Sequence, residues 1–343
     1  MTNIPRSELS KLPYLTAIPQ PPQSVPLLPY YDATTGTFRI WLVADGGLVE
    51  AGPSDITDGV YLSETPASPT RDCELPLLSL IYKHFCSQRL VAPCHDMNQD
   101  LISGLSFIEK YFILLNHSNT YGTNVMRSLV GTEIEAAFVN HRCFYDTLQT
   151  VMRFTQVANG KPQLPKSFRK TVQKEPEELA EKYGLPGPFR AFYRAKKDFF
   201  MNCRAIRDSV VHNGLAFYYD VFDLEDGFAV QLSSSPLGRL QEVAALWPEA
   251  KRKPNNLVSL LPVFCLLVQD MFSTMAQFEE ALLAAYPPDS APVFEDESVF
   301  LRTPCLHHLH KLDSYRHTPW HKPEDIRTQW LQRGIQESTR PER

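Results

Sequence analysis

Eight residues between Val130 and Met152 return at intervals of three or four: Val130, Ile134, Ala137, Phe138, His141, Tyr145, Leu148 and Met152. That spacing gathers them on one face of an α-helix of about six turns, whereas a strand, alternating at every residue, would split them between two faces. A helix with one apolar face must bury it against other elements, so this stripe asks for companions. Three more are legible. Leu101, Leu105, Ile108, Phe112 and Leu115 form one; Phe189, Phe192, Tyr193, Phe199, Phe200, Cys203, Ile206 and Val210 form another; Leu260, Phe264, Leu267, Met271, Met275, Phe278 and Leu282 form the last. The pattern predicts a mainly α fold, a bundle of four or five antiparallel helices over 97–286, with a central helix over 188–212. Pro188 suits its first turn and Asn213-Gly214 its end.

Shorter signals surround the bundle. TFRIWLVAD, GGLVEAG and DGVYLSE, each flanked by Gly or Asp, predict a small β-element between 31 and 65. LPLLSLIYKHFCSQRL reads as a helix over 75–90, followed by a turn at Ala92-Pro93. Residues 215–234 carry two β-rich runs around an acidic-Gly turn, hence a β-hairpin inserted into the helical series. The first thirty residues hold seven prolines and predict an extended chain. Beyond Tyr286 proline and charge rise. The expected organisation is therefore a proline-rich segment with a β-element and a helix over 1–96, the helical domain over 97–286, and an irregular, partly disordered tail over 287–343.

Seven cysteines lie scattered with no C-x-x-C spacing, which fits reduced thiols in a cytoplasmic protein. No apolar h-region opens the chain, and the most apolar run, 257–268, is too short to span a bilayer before Gln269 and Asp270 interrupt it. No membrane association is expected. The segment CLHHLHKLDSYRHTPWH over 305–321 is rich in histidine but lacks zinc-finger spacing, and it reads as a surface segment packing on the helices rather than a metal site. No cofactor is expected either: the phosphate-binding, dinucleotide and serine-nucleophile motifs G-x-x-x-x-G-K-[ST], G-x-G-x-x-G and G-x-S-x-G are all absent.

The net charge of −5 conceals a basic centre. Between 151 and 212 there are 13 Lys/Arg against 6 Asp/Glu, a local +7, which leaves −12 for the remainder. A basic stretch on an acidic chain attracts polyanions locally, and Lys196, Lys197 and Arg204 are its candidate contacts to one. Within it, NCRAIRDSVVHNG puts Arg207, Asp208 and His212 into the last turns of the 188–212 helix. Asp208 and His212, four apart, share a face, so the carboxylate can orient the imidazole. Arg207 and His212, five apart, are rotated by about 140°. Arg207 borders the apolar stripe and calls for an anionic partner; Glu133, Glu135 and Asp146 are candidates. The same spacing also arises from an arginine paired to a neighbouring helix and a histidine favoured by a helix C-terminus.

This arrangement resembles the HEPN superfamily, all-α bundles with an R-x(4–6)-H motif and a polar residue directly after the arginine. Arg207, Asp208 and His212 match the three positions, and the resemblance covers roughly 97–286. It implies a metal-independent endoribonuclease in which a symmetric homodimer brings two motifs into one cleft. There Arg207 would hold phosphate oxygens, and His212 would move the proton as the ribose 2′-OH attacks phosphorus. It also implies RNA as a partner, and an antitoxin or nucleotidyltransferase partner protein in a bacterial defence or toxin–antitoxin setting. The alternative within the resemblance is a non-catalytic module that binds RNA, a nucleotide or a partner protein.

Overall fold

A computed structural model gives the fold; the structure describes residues 2–5, 28–44, 47–50, 56–85, 88–213, 221–232, 235–242, 246–288 and 296–322. It is mainly α with small β-sheets. Four long helices dominate: α2 (Gln88–Asn116), α3 (Thr123–Ala158), α6 (Gly187–Asn213) and α7 (Leu261–Ala285). Short helices are α1 (Pro76–Leu80), α4 (Phe168–Val172), α5 (Pro176–Tyr183) and α8 (Leu312–His317). All the striped positions of α2, α3 and α7 are buried, as are those of α6 up to Ile206, except Phe199, which is half-buried. α7 is the one described helix long and apolar enough to cross a membrane, and most of that apolar window is buried inside the protein.

The chain divides into two compact units. The first comprises 1–102, 143–198 and 271–307. Its five-stranded sheet runs β3 (Thr37–Arg39), β2 (Tyr30–Asp32), β6 (Gly59–Ser63), β11 (Ser298–Arg302), β7 (Asp72–Glu74), parallel only between β2 and β6. A smaller antiparallel sheet orders β1 (Thr2–Pro5), β5 (Gly47–Glu50) and β4 (Trp41–Ala44). Phe38, Ile56, Tyr61 and Phe300 form the sheet's apolar cluster. At its edge, Arg302 meets buried Asp72 at 3.4 Å. The helical part of this unit is organised by Gln149, whose amide donates to the Pro165 carbonyl (2.8 Å) and to Thr171 Oγ1 (2.9 Å) while its oxygen accepts from Tyr193 (2.7 Å). Asp146 accepts the Phe168 N–H at the start of α4, and Ser167 caps the same helix.

The second unit comprises 103–142, 199–270 and 308–343. Its antiparallel sheet orders β8 (Val221–Leu224), β9 (Gly227–Gln231) and β10 (Leu257–Ser259). The expected hairpin is present in its described part, and β10 adds a third strand to it. Phe107 stacks on Phe264 between α2 and α7, Lys110 pairs with Glu133 between α2 and α3, and His141 meets Phe199 edge-on between α3 and α6. Tyr111 packs against Phe228, and its hydroxyl accepts the Phe228 N–H at 3.2 Å. Gly227 has φ +143°, and a Cβ there would stand 2.8 Å from that hydroxyl, so strand β9 begins on the residue type that both the angle and the space require.

Several expectations need correcting. The helix expected over 75–90 is α1, then a π-helical turn over Ile81–Phe85, and the next helix starts at Gln88 and runs through Pro93 without a turn. Pro93 lies near the amino end of α2, where few intrahelical N–H bonds can be lost, and Leu90, Cys94 and Met97 bury that turn. Residues 2–5 form a strand within the stretch expected to be extended; most of the proline-rich segment lies outside the described residues. In the tail, β11 and α8 are regular: β11 is completed by partners far away in sequence, which no local pattern announces. No disulfide joins the six described cysteines, 73, 94, 143, 203, 265 and 305.

Candidate functional site

The carboxyl-terminal part of α6, in the second unit, carries the motif. α6 stays helical through His212 to Asn213. Asp208 accepts Arg207 Nη1 on Oδ1 at 2.9 Å and Arg204 Nη2 on Oδ2 at 3.1 Å. The Arg204 pair is the i,i+4 contact of one helix face; the Arg207 pair joins neighbours. Burial acts to raise the Asp208 carboxyl. The hydrogen bond from Arg207 and the charges of Arg204, Arg207 and Arg142 outweigh it and hold the group below the usual carboxylate range. Arg142 comes from α3. Three arginines thus act on one carboxylate. The patch is partly open to solvent: Arg204 is 16% exposed, Arg207 23% and Asp208 30%. Arg207 Nε is buried and has no hydrogen-bond partner among the described residues.

Of the candidate carboxylates for Arg207, the structure selects none. Glu133 is taken by Lys110, and Asp146 by the Phe168 N–H. The partner is Asp208, the residue next to it. Both Asp208 oxygens therefore have arginine donors, and the expected carboxylate–imidazole contact with His212 concerns a side chain outside the described residues. The helix does not loosen near Val211, so the backbone positions of Arg207 and His212 keep their offset of about 140°.

The other sequence candidates separate. Arg204 belongs to the cluster. Lys196 is only 7% exposed and offers little of itself to a polyanion in solution. Lys197 is half-buried and lines a cleft in the first unit. Arg142 was not legible as a site residue, because it lies off the α3 stripe on a helix remote in sequence from the motif.

Two buried histidines have structural settings. His141 is 1% exposed, with Nε2 2.8 Å from Asp270 Oδ2. His308 is buried against Phe112, with Nε2 2.5 Å from Glu109 and Nδ1 3.0 Å from the Tyr315 hydroxyl. The histidine-rich segment thus packs on α2, as read from the sequence. Cys203 is buried, and that burial, helped by the Asp270 charge, pushes its thiol well above the ordinary value.

Protein-family models, curated proteins and solved structures were all compared with the chain, and none matches it.

Proposed function

We propose that this protein cleaves RNA without a metal ion, in the manner of the HEPN superfamily, as a homodimer. The supporting observation is the cluster of Arg142, Arg204 and Arg207 around Asp208, one turn before His212. Cleavage by the ribose 2′-OH needs a cation at the phosphate, a base and an acid. Arginine stays charged at every working pH and matches phosphate oxygens with its planar fork. In the reaction, His212 removes the 2′-OH proton as O2′ bonds to phosphorus; the P–O5′ bond breaks, and a second imidazole returns a proton to O5′. The products are a 2′,3′-cyclic phosphate and a 5′-hydroxyl. A regular α6 through Asn213 favours a two-copy site, because the backbone positions of Arg207 and His212 on one helix are offset by about 140°. The second imidazole is then the partner's His212.

The test is incubation of the purified protein with total RNA in EDTA. Cleavage is expected, with His212→Ala slower by about 10²–10⁴-fold and Arg207→Ala inactive with its thermal stability within about 1 kcal/mol of the wild type. Equal activity in all three proteins would reject the nuclease.

A second reading is favoured by the occupation of Arg204 and Arg207 by Asp208: the cluster holds RNA without cutting it. RNA retained intact by the wild type and released by Arg207→Ala would select that reading. The defence or toxin–antitoxin setting, and with it an antitoxin or nucleotidyltransferase partner, rests on the resemblance alone.

A further inference from the structure

The first unit contains a cleft of about 500 Å³, within the range of small-molecule sites. One wall is the α6 stripe Arg190, Arg194 and Lys197, spaced i, i+4, i+7 and so on a single face. Another wall is the start of α5, with Glu175 at its N-cap and Glu177 in its first turn. Val172, Leu179 and Tyr193 are the buried apolar lining.

The state of its charges sets this cleft apart. Lys174 is engaged, 2.5 Å from Glu178. Arg190, Arg194, Lys197, Glu175, Glu177 and Asp198 also line it, and none forms a salt bridge or side-chain hydrogen bond among the described residues. Arg190 Nε is moreover shielded from solvent with no acceptor among the described residues. Desolvated donors in folded proteins nearly always find a partner, and an acceptor entering this cleft can reach the guanidinium. Cations and carboxylates that share a cleft without pairing are matched by a ligand bearing both an anion and hydrogen-bond donors. Inorganic phosphate would satisfy only the cations. A phosphodiester brings one negative charge to three of them, whereas a terminal phosphate brings nearly two.

We propose that this cleft binds a terminal phosphate ester of a hydroxylated sugar, the phosphate on Arg190, Arg194 and Lys197 and sugar hydroxyls donating to Glu175 and Glu177. Such a group occurs on free sugar phosphates and at the 5′ end of an RNA. The test is calorimetric titration of the full chain with ribose 5-phosphate, inorganic phosphate, and a short oligoribonucleotide with either a 5′-phosphate or a 5′-hydroxyl. Ribose 5-phosphate or the 5′-phosphorylated oligonucleotide should bind, and which of them binds identifies the source. Arg194→Gln, at an exposed position, should weaken that binding roughly ten- to a hundredfold. Glu177→Gln should weaken the ester and leave inorganic phosphate unchanged. Absence of binding by both esters overturns the proposal. So does equal affinity for the 5′-hydroxyl oligonucleotide, or affinity untouched by Arg194→Gln in a protein that melts as the wild type does.

Discussion

Asp208 accepts from Arg207 on one oxygen and Arg204 on the other, so its ionisation and the order of the arginine patch are linked. Its folded pKa lies below the ordinary carboxylate value. The stability it contributes is therefore complete above about pH 3.9, where the unfolded group is ionised, and is lost as pH falls through the lower folded value. Asp208→Asn should melt below the wild type from neutral pH down to that point, and the two curves should converge in more acid solution. Solvent exposure screens the pair, so the gap should stay under about 1 kcal/mol, measured by thermal melts against pH. Asp270 is a contrasting case. It is 11% exposed and bonded to a fully buried imidazole. Asp270→Ala should cost about 1–3 kcal/mol in chemical denaturation, because His141 is left without its acceptor. The buried character of His141 was legible from spacing alone. Arg142 and the pairing of Arg207 with Asp208 were not, because rotamers and contacts between helices are set by packing that one helix's periodicity does not encode.

Stripes of α2, α3, α6 and α7 could be read almost residue by residue, since burying one face of a long helix leaves a period that accumulates over many turns. Strands of three to five residues leave no such record. β10 and β11 each have a few apolar side chains and no turn beside them to fix a hairpin, so their partners had to be seen. The turn between β8 and β9 was legible through its acidic-Gly composition, and the structure adds the reason for the glycine. Gly227→Ala should destabilise the protein by about 1–3 kcal/mol, from a strained positive φ and the collision with the Tyr111 hydroxyl. A urea titration measures it. An unchanged midpoint would mean that the hairpin shifts away from α2 at no cost.

Each compact unit is assembled from three stretches of chain that are far apart in sequence. The five-stranded sheet shows this most plainly: β11 pairs with β6 on one side and β7 on the other, and the Val299 N–H is received by Ser79 Oγ, 220 positions earlier. A chain ending at Pro288 would leave the β6 and β7 edges open, with Tyr61 deprived of its stacked Phe300. Size-exclusion chromatography should find that truncated chain aggregated, while the full chain elutes as a discrete species. The same closure bears on the order of events at the ribosome. Helices can form as they emerge, but β11, which joins β6 to β7, leaves the exit tunnel more than 200 residues after either of them. Until then β6 and β7 each wait with one edge unpaired, so the native sheet cannot close while only its early strands have been made, and the nascent chain is a natural client for holding chaperones.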